Sequence, residues 1–331
     1  METLVLTDEE VNGLLSMPEV MEAVEKAFKE KGLKRVQMPA KIYLFYKKYN
    51  GDLRAMPSYL EELDVSAVKI VNAHPDNRAK HGLPTVMAVI VLVDPKNGFP
   101  LAVIGGKTIT DMRTGAAGGI AAKYLARKDS KVVAFVGAGA QARTQLMALL
   151  EVYGKLKEVR VWSRSEETRQ AFMDEMEEAY GRLFKFVPAE TIKDAVEEAD
   201  IVVTTTPSRK PLVMNNMVSP GTHFNCIGAD APGKEELDPA ILKRSRIVVD
   251  DWEQAAHSGE INVPLSQGII TEKNVYAELG EVVAGLKRPR EKKDEITIFV
   301  STGLAIQDAV TAKIAYDKAV KKGTGRFLKI V

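Results

Sequence analysis

Two different rhythms of apolar and polar residues divide the chain near Lys131. Before that point, apolar runs are separated by turn signals, as in DVSAVKIVNAH and in the two runs around DPKNG, which predicts strands and a hairpin. After it, short apolar runs alternate with stretches of helix length, such as KVVAFV followed by QARTQLMALLEVYG. This alternation is typical of βαβ units and predicts a parallel sheet.

Helical patterns lie at three further places. Residues 1–32 look helical, with Thr7 as a candidate N-cap and Gly32 at the C-terminal end. A stretch rich in alanine and glycine predicts a helix over about 108–127. The segment GLAIQDAVTAKIAYDKAVKK predicts a closing helix over 303–322, which we expect to pack back on the first region.

Composition and charge exclude several classes of function. With 46 Lys+Arg and 45 Asp+Glu, the formal net charge is +1, so nucleic acid and anionic membranes are not expected partners. The single cysteine, Cys226, excludes an internal disulfide and fits a reducing compartment. No signal peptide is evident and no apolar run approaches the ~20 residues of a membrane span. We therefore expect a cytoplasmic protein.

A metal site is not expected. His223 and His257 lie in THFNCIG and AAHSGEINV, and neither has a second histidine or cysteine at ligand spacing. We interpret both as structural or pocket-lining residues.

The segment VVAFVGAGAQARTQL (132–146) carries the clearest chemical signal. A strand ends at Gly137, and residues 137–142 spell G-x-G-x-x-A immediately before a helix. The first glycine permits a sharp turn, the second leaves room for a pyrophosphate, and the helix N-terminus supplies N–H groups. We predict that a dinucleotide cofactor binds here, in a Rossmann-type domain.

The tip of the next strand bears on the choice of cofactor. An NAD site carries an acid there, about 20 residues on, to hold the ribose. Here the strand ends in Ser163 and Arg164. Because a guanidinium suits a 2′-phosphate, we expect NADP(H) to be preferred, with NAD(H) also accepted. If Arg164 is an ordinary solvated residue, both cofactors would serve equally.

Four further segments are candidates for the chemistry. A predicted strand ends in Thr204, Thr205 and Thr206. Either their hydroxyls contact the cofactor, or threonine is present only because β-branched residues favour strands. Lys69 lies between apolar strand neighbours, where a charge needs a partner or a cavity unless the strand is an edge. Arg113 occupies the small-residue helix, either against a close neighbour or on its surface. Asp230 follows the strand FNCIGAD, where it faces the crevice or caps a turn.

Together these residues resemble the ornithine cyclodeaminase/mu-crystallin family, and especially its archaeal alanine dehydrogenase and pyrroline-2-carboxylate (ketimine) reductase members. The matching stretches follow one another over nearly the whole chain. The most specific are RTGAAGGIAAKYLAR (113–127) and IGADAPGKEELD (227–238), and others are VGAGAQA (136–142) and STGLAIQD (301–308).

The resemblance and the residue pattern together predict an α/β fold of two domains. A strand-rich α+β domain for substrate binding and dimerisation would occupy residues 1–120 and be completed by a C-terminal helix at 306–331. A Rossmann-type, doubly wound parallel sheet would occupy residues 121–305. The length of 331 residues suits two domains of about 150 residues each. The family implies a homodimer.

The resemblance also assigns roles to residues. It implies that Arg113 and Lys69 hold the substrate carboxylate, that Lys41 and Arg54 are further substrate contacts, and that Asp230 handles the proton. Asp230, Lys69 and Arg113 are thus the expected catalytic residues. The expected cofactor contacts are Gly137, Gly139, Ala140, Gln141, Ser163, Arg164, Thr204, Thr205, Thr206, Ala229, Asp230 and Ser301.

The activity that this resemblance implies is NAD(P)H-dependent reduction of a small α-imino acid to the L-amino acid. The substrate would be Δ1-pyrroline-2-carboxylate, giving L-proline, or pyruvate with ammonia, giving L-alanine. Alternatives are an ornithine cyclodeaminase with bound NAD and a mu-crystallin-like NADPH-binding protein. Val300 stands where cyclodeaminases carry an acid, which argues against ornithine as the substrate. Gly105 and Gly106 stand where many relatives carry an Asp followed by a small residue.

Overall fold

The computed structural model describes residues 1–331 and divides the chain into two compact units. Unit 1 consists of residues 1–113 and 304–331, and unit 2 consists of residues 114–303. The sequence predicts boundaries at 120/121 and 305/306. The division between residues 113 and 114 falls inside a continuous helix, where the sequence has no local signal of a domain boundary.

The helices and strands follow the chain in three stretches. Up to residue 125 they are β1 (Thr3–Leu6), α1 (Asp8–Asn12), α2 (Met17–Gly32), β2 (Val36–Gln37), β3 (Ile42–Tyr46), β4 (Gly51–Leu60), β5 (Val65–Ala73), α3 (Asn77–His81), β6 (Val86–Val93), β7 (Pro100–Gly105) and α4 (Lys107–Leu125). The next stretch contains β8 (Val132–Val136), α5 (Ala140–Tyr153), β9 (Glu158–Trp162), α6 (Glu166–Tyr180), β10 (Lys185–Pro188), α7 (Ile192–Val196), β11 (Ile201–Thr204), β12 (Arg209–Val213), β13 (His223–Cys226), β14 (Glu235–Leu237), α8 (Pro239–Lys243), β15 (Ser245–Val249), α9 (Trp252–Ser258), α10 (Asn262–Ser266), β16 (Val275–Glu278), α11 (Leu279–Val283) and β17 (Ile296–Val300). The last stretch contains α12 (Ala305–Lys322) and β18 (Arg326–Leu328).

The first residues of the chain form a strand, so the expectation of a helix over all of 1–32 is wrong there. β1 pairs in parallel with β7 and antiparallel with β18. Both partners are remote in sequence, and local pattern alone does not reveal them. The two helix signals are confirmed: the Thr7 side chain accepts a hydrogen bond from the backbone N–H of Glu10, and α2 ends at Gly32. The predicted hairpin is formed by β6 and β7.

The sheet of unit 1 has eight strands in the order β18-β1-β7-β6-β5-β4-β2, with β3 added to β4. Successive side chains of a strand point to opposite faces. In β5 this alternation buries Lys69 and Val71 and leaves Ile70 42% exposed. Helix α12 packs against β4, β5 and β6, and its Ala305 contacts Met56 and Val71. The alternation thus carries Lys69 to the face that α12 covers.

The sheet of unit 2 has eight parallel strands in the order β10-β9-β8-β11-β13-β17-β15-β16, which confirms the α/β, doubly wound prediction. Alternate residues of β8 enter two separate apolar cores, with Val133 in one and Ala134 in the other. The strand order reverses between β8 and β11. In folds of this type, ligands bind at the carboxyl ends of the strands beside that reversal.

Candidate active site

A buried group of charged side chains lies in unit 1, where α12 covers the sheet. Lys69 Nζ lies 2.6 Å from Asp308 Oδ2, and Arg113 Nε donates to Asp308 Oδ1 at 3.0 Å. The side chains of Lys69 and Asp308 are each only 1% exposed. One carboxylate therefore joins the two cations that the sequence singled out, and the protonated cluster has one net positive charge.

Burial perturbs Lys69 strongly. Desolvation, followed by repulsion from Arg113, lowers the pKa of Lys69 from 10.5 to about 7, and Asp308 opposes this shift. Lys41 adds a smaller repulsion in the same direction. The lysine consequently gains or loses its proton near neutral pH, and an additional anion beside it would favour the charged form.

Arg113 is held from a second side by Gln307. Its Nη1 donates to Gln307 Oε1 at 3.1 Å, and the same oxygen accepts a hydrogen bond from the backbone N–H of Leu304. Two neighbouring residues of α12, Gln307 and Asp308, thus position the guanidinium. Sequence reasoning missed both, although a polar pair inside the apolar run AIQDAV is a signal of buried polar groups.

The other two predicted substrate contacts belong to the same sheet. Arg54 faces the same side as Lys69, because Met56, two residues along β4, is the cross-strand partner of Lys69. Arg54 pairs with Asp52 at 2.8 Å and lies over the ring of Tyr43. Lys41 is half-buried just before β3. Unit 1 therefore contains all four basic residues expected at the substrate.

The glycine turn of unit 2 has the geometry that a pyrophosphate needs. Gly137 has a φ of +107°, a conformation that favours glycine, and its N–H donates to Trp162 O. Gly139 is the N-cap of α5, and a Cβ built on it would meet no atom within 4 Å. Ala140 and Gln141 form the first turn of the helix. The N-terminus of α5 is therefore open beside Gly139, and helix N-termini favour anions such as phosphate.

The three threonines at the end of β11 have different surroundings. Thr205 Oγ1 donates to Gly137 O at 3.0 Å and supports the glycine turn. Thr206 Oγ1 donates to Glu236 Oε1 at 2.7 Å, and Thr204 is fully buried. Of the three, Thr205 is the one whose hydroxyl bonds to the glycine turn.

A buried carboxylate joins the ends of β11 and β13. Glu236 accepts hydrogen bonds from the backbone N–H groups of Thr206 and Gly228, at 2.7 and 3.1 Å, in addition to the Thr206 hydroxyl. Burial raises the pKa of Glu236 to about 7. Glu260 accepts from the backbone N–H groups of Glu236 and Leu237, and burial raises its pKa well above the ordinary value. Sequence reasoning missed this pair.

Asp230 lies in the loop that Glu236 secures. Its backbone N–H donates to Gly228 O at 3.1 Å, and its Oδ1 lies 2.6 Å from Lys234 Nζ. Ala229 is buried before it, and Ser301, at the end of β17, donates its backbone N–H to Cys226 O. The structure therefore places Asp230, Ala229 and Ser301 beyond the carboxyl ends of neighbouring parallel strands.

The tip of β9 leaves Arg164 exposed. Ser163 accepts a hydrogen bond from the backbone N–H of Ser165, which caps helix α6. The end of β9 therefore has a guanidinium exposed to solvent.

Comparison with known proteins identifies the family. The profile described as "Ornithine cyclodeaminase/mu-crystallin family" matches residues 1–323.

The chain belongs to this family.

An alanine dehydrogenase from Archaeoglobus fulgidus is 52% identical over 329 residues, 99% of each chain. The structure of an archaeal alanine dehydrogenase dimer with bound NAD matches with a TM-score of 0.95 and 51% identity over 100% of both chains. The structure of Thermococcus litoralis Delta(1)-pyrroline-2-carboxylate reductase in complex with NADH and L-proline matches with a TM-score of 0.94 and 42% identity. That match covers 98% of this chain and 99% of the other.

Two departures from the ornithine cyclodeaminase/mu-crystallin family pattern have a visible structural setting. Val300 is fully buried at the end of β17 and leaves no carboxylate there. A Cβ on Gly105 would lie 2.6 Å from the backbone nitrogen of Asp8, and one on Gly106 would lie 2.9 Å from the Cβ of Ala88. Close packing of β7 against its neighbours therefore excludes a side chain at Gly105 in this chain.

His223 has a structural role. It is fully buried, and its two ring nitrogens lie 2.9 Å from Thr297 Oγ1 and 3.0 Å from Asn225 Oδ1. Burial lowers its pKa to about 3, so the ring is neutral at physiological pH. Because both ring nitrogens have hydrogen-bond partners inside unit 2, the imidazole stabilises the core of this unit.

Proposed function

We propose that the protein reduces a small α-imino acid to the L-amino acid with a nicotinamide cofactor. The observation that carries this proposal is the buried Lys69–Asp308–Arg113 cluster, whose net positive charge suits an amino-acid carboxylate. The expected reaction class, oxidoreduction at an amino- or imino-acid carbon, is confirmed by the alanine dehydrogenase and pyrroline-2-carboxylate reductase relatives.

Two substrates fit this chemistry. They are pyruvate with ammonia, which gives L-alanine through an acyclic imine, and Δ1-pyrroline-2-carboxylate, which gives L-proline. Both present one carboxylate beside a carbon–nitrogen double bond. The 52% identity to an alanine dehydrogenase favours L-alanine as the first product to test, and the 42% identity to a pyrroline-2-carboxylate reductase supports L-proline as the second.

Arg113 and Lys69 bind the carboxylate in this proposal. The bonds from Arg113 to Asp308 and Gln307 use its Nε and Nη1, so they leave the Nη2 group for a substrate oxygen. Such charge-assisted hydrogen bonds are roughly twice as strong as neutral ones. A bound carboxylate also favours protonated Lys69, because an adjacent negative charge stabilises the ammonium. The two cations thereby fix the substrate by its acid group.

Reduction adds a hydride to the α-carbon and a proton to the nitrogen of the imine. The reduced nicotinamide supplies the hydride when it is bound. Asp230 exchanges the proton with the substrate nitrogen, because a positioned carboxylate is suited to general acid–base work. Lys234, at 2.6 Å, holds the Asp230 carboxylate in place.

The dinucleotide lies against the Gly137–Gly139 turn in this proposal. The positive φ of Gly137 and the open space at Gly139 support it, and the solved relatives hold NAD or NADH. We further propose that NADPH is accepted through Arg164, since the tip of β9 offers a guanidinium where an NAD-specific site has an acid.

We propose that the protein acts as a homodimer assembled through unit 1. Four residues form one cross-strand row on the sheet face opposite Lys69, and three of them are large apolar side chains that are 42–59% exposed. The row consists of Ile42, Ala55, Ile70 and Val89. An exposed apolar sheet face of this kind marks an interaction site, and an archaeal alanine dehydrogenase of the same fold is a dimer. No helix of the chain has the length and apolar character needed to cross a bilayer.

One spectrophotometric assay tests the proposal and its alternatives. The absorbance of NADH and of NADPH is followed with pyruvate plus ammonia, with pyrroline-2-carboxylate and with L-ornithine. We expect oxidation of the cofactor with one of the two imine substrates. Conversion of ornithine to proline without net change of cofactor would instead identify a cyclodeaminase. Cofactor binding without turnover of any substrate would identify a binding protein.

A further inference from the structure

Gln307 has a buried hydrogen-bond donor without an acceptor. The residue is fully buried, and its Oε1 accepts hydrogen bonds from Arg113 Nη1 and from the backbone N–H of Leu304. Because both partners are donors, they settle which end of the amide is the oxygen. The Nε2 group is left without a hydrogen-bond partner.

An unpaired buried N–H group is costly in a folded protein. Its desolvation penalty is about 1–3 kcal/mol, and most such groups in native structures are bonded. The two atoms of an amide share one carbon, so Nε2 lies beside the same guanidinium that Oε1 contacts. A ligand that reaches Arg113 can therefore satisfy the amide as well.

The surrounding charges select the kind of ligand. Arg113 and protonated Lys69 together carry two positive charges against the single carboxylate of Asp308. An acceptor with a negative charge is thus favoured over a neutral or cationic group. Among the groups of an imino-acid substrate, only the carboxylate combines a negative charge with several acceptor positions.

We infer that Gln307 Nε2 donates a hydrogen bond to the α-carboxylate of the substrate that Arg113 holds. This inference rests on the proposed function and adds a neutral specificity contact to it. A ligand that lacks the carboxylate would leave Nε2 unpaired, which is how a polar site rejects an analogue most strongly. Gln307 therefore helps to distinguish amino and imino acids from simple amines and imines.

Two substitutions isolate the donor. Gln307→Glu is nearly isosteric and keeps an oxygen for Arg113 and Leu304, but it loses the N–H group and adds a charge. Gln307→Met is neutral but loses both the donor and the acceptor. Both variants lose the donor. Only Gln307→Glu adds a charge, and only Gln307→Met removes the oxygen that accepts the hydrogen bond from Arg113. As a control, Gln145→Met removes a buried glutamine whose Nε2 and Oε1 are already bonded, to Thr114 O and Asn225 Nδ2.

The readouts are KM and kcat for the imine that the wild type reduces, with urea denaturation to monitor folding. We expect KM to rise about 10- to 100-fold in both Gln307 variants, as for loss of a hydrogen bond to a charged group, with kcat changed much less. Gln145→Met should lower stability and leave KM unchanged. A rise in only one Gln307 variant, or in neither, would overturn the inference, because charge or Arg113 positioning would then explain the result.

Calorimetric binding of L-alanine and L-proline separates this inference from the proposed function. If the wild type reduces neither imine but binds one amino acid, and both Gln307 variants weaken that binding, the contact stands while the reaction is wrong. If the wild type turns over an imine and both Gln307 variants bind the amino acid with wild-type affinity, the reaction is supported but the Gln307 contact is wrong. If the wild type reduces neither imine and binds neither amino acid, both the reaction and the contact are wrong.

Discussion

Substitution of Asp308 by asparagine tests the buried cluster through its stability. Asparagine keeps the shape and an oxygen acceptor for Arg113 Nε but removes the charge that Lys69 and Arg113 share at 2.6 and 3.0 Å. Removing one partner of a buried ion pair costs about 3–5 kcal/mol. Because Lys69 has a pKa of about 7 and can lose its proton, we expect the lower part of that range at neutral pH.

The destabilisation should depend on pH with a definite sign. Asp308 raises the pKa of Lys69, so the lysine in the variant loses its proton at lower pH than the wild-type pKa of about 7. Below both values the lysine is charged in either protein, and the full difference in the free energy of unfolding is present. As pH rises, the lysine of the variant loses its proton first and the wild-type lysine loses its proton near pH 7. Above both values, the part of the difference due to Lys69 has disappeared.

Urea denaturation followed by circular dichroism at about pH 6 and about pH 9 measures this difference. The matched control is Asp317→Asn, which removes a carboxylate from an exposed Lys313–Asp317 pair on the same helix α12. An exposed pair contributes at most about 1 kcal/mol, so the control should be nearly neutral. Equal effects of the two substitutions, or a difference for Asp308→Asn that grows with pH, would refute the reasoning.

Four further predictions concern activity. Asp230→Ala should lower kcat about 10²- to 10⁴-fold while the cofactor still binds, as measured by turnover and by cofactor fluorescence titration. Arg113→Lys keeps the charge but loses the planar fork, so KM for the imine should rise about 10- to 100-fold in steady-state assays. Arg164→Asp should shift the ratio of kcat/KM for NADPH over NADH towards NADH. KM for the imine should rise as pH increases through 7, because free Lys69, with a pKa of about 7, loses the charge that attracts the carboxylate.

Each of these predictions has an outcome that contradicts it. Near-normal turnover of Asp230→Ala would remove the residue from the mechanism, and an unchanged KM in Arg113→Lys would show that the fork is not used. An unchanged cofactor ratio in Arg164→Asp would make Arg164 an ordinary surface residue. For the pH dependence, Lys69→Met is the control, because its KM should lose the rise near pH 7; a wild-type KM that is flat across this range would exclude the lysine.

The parallel sheet and the glycine turn could be predicted because their signals are local. Short apolar runs alternate with helical stretches along consecutive residues. The turn at Gly137 is signalled by six consecutive residues, 137–142. The helix prediction is wrong at β1 because the pairing partners of this strand, β7 and β18, lie about a hundred or more residues away. A strand with remote partners has no local signature here beyond three consecutive apolar residues, Leu4, Val5 and Leu6.

The site was predictable only in part, for the same reason. Lys69 could be singled out because a charge in an apolar strand needs a partner, but nothing nearby in sequence names Asp308 as that partner. The Glu236–Glu260 pair is brought together by the fold of unit 2, from residues 24 positions apart. The roles of Arg113, Asp230, Lys41 and Arg54 come from family resemblance rather than from spacing.

The proposed function depends most on the claim that the Lys69–Arg113 cluster binds an amino-acid carboxylate. Calorimetric titration of the cofactor-loaded wild type with L-alanine and L-alaninamide, and with L-proline and L-prolinamide, tests this claim directly. Each pair differs at the acid group, which the amide replaces with a neutral one. We expect at least one acid to bind tenfold or more tightly than its amide, as for loss of a charged hydrogen-bond partner worth about 1.5–3 kcal/mol. Equal binding of acid and amide in both pairs would contradict the claim.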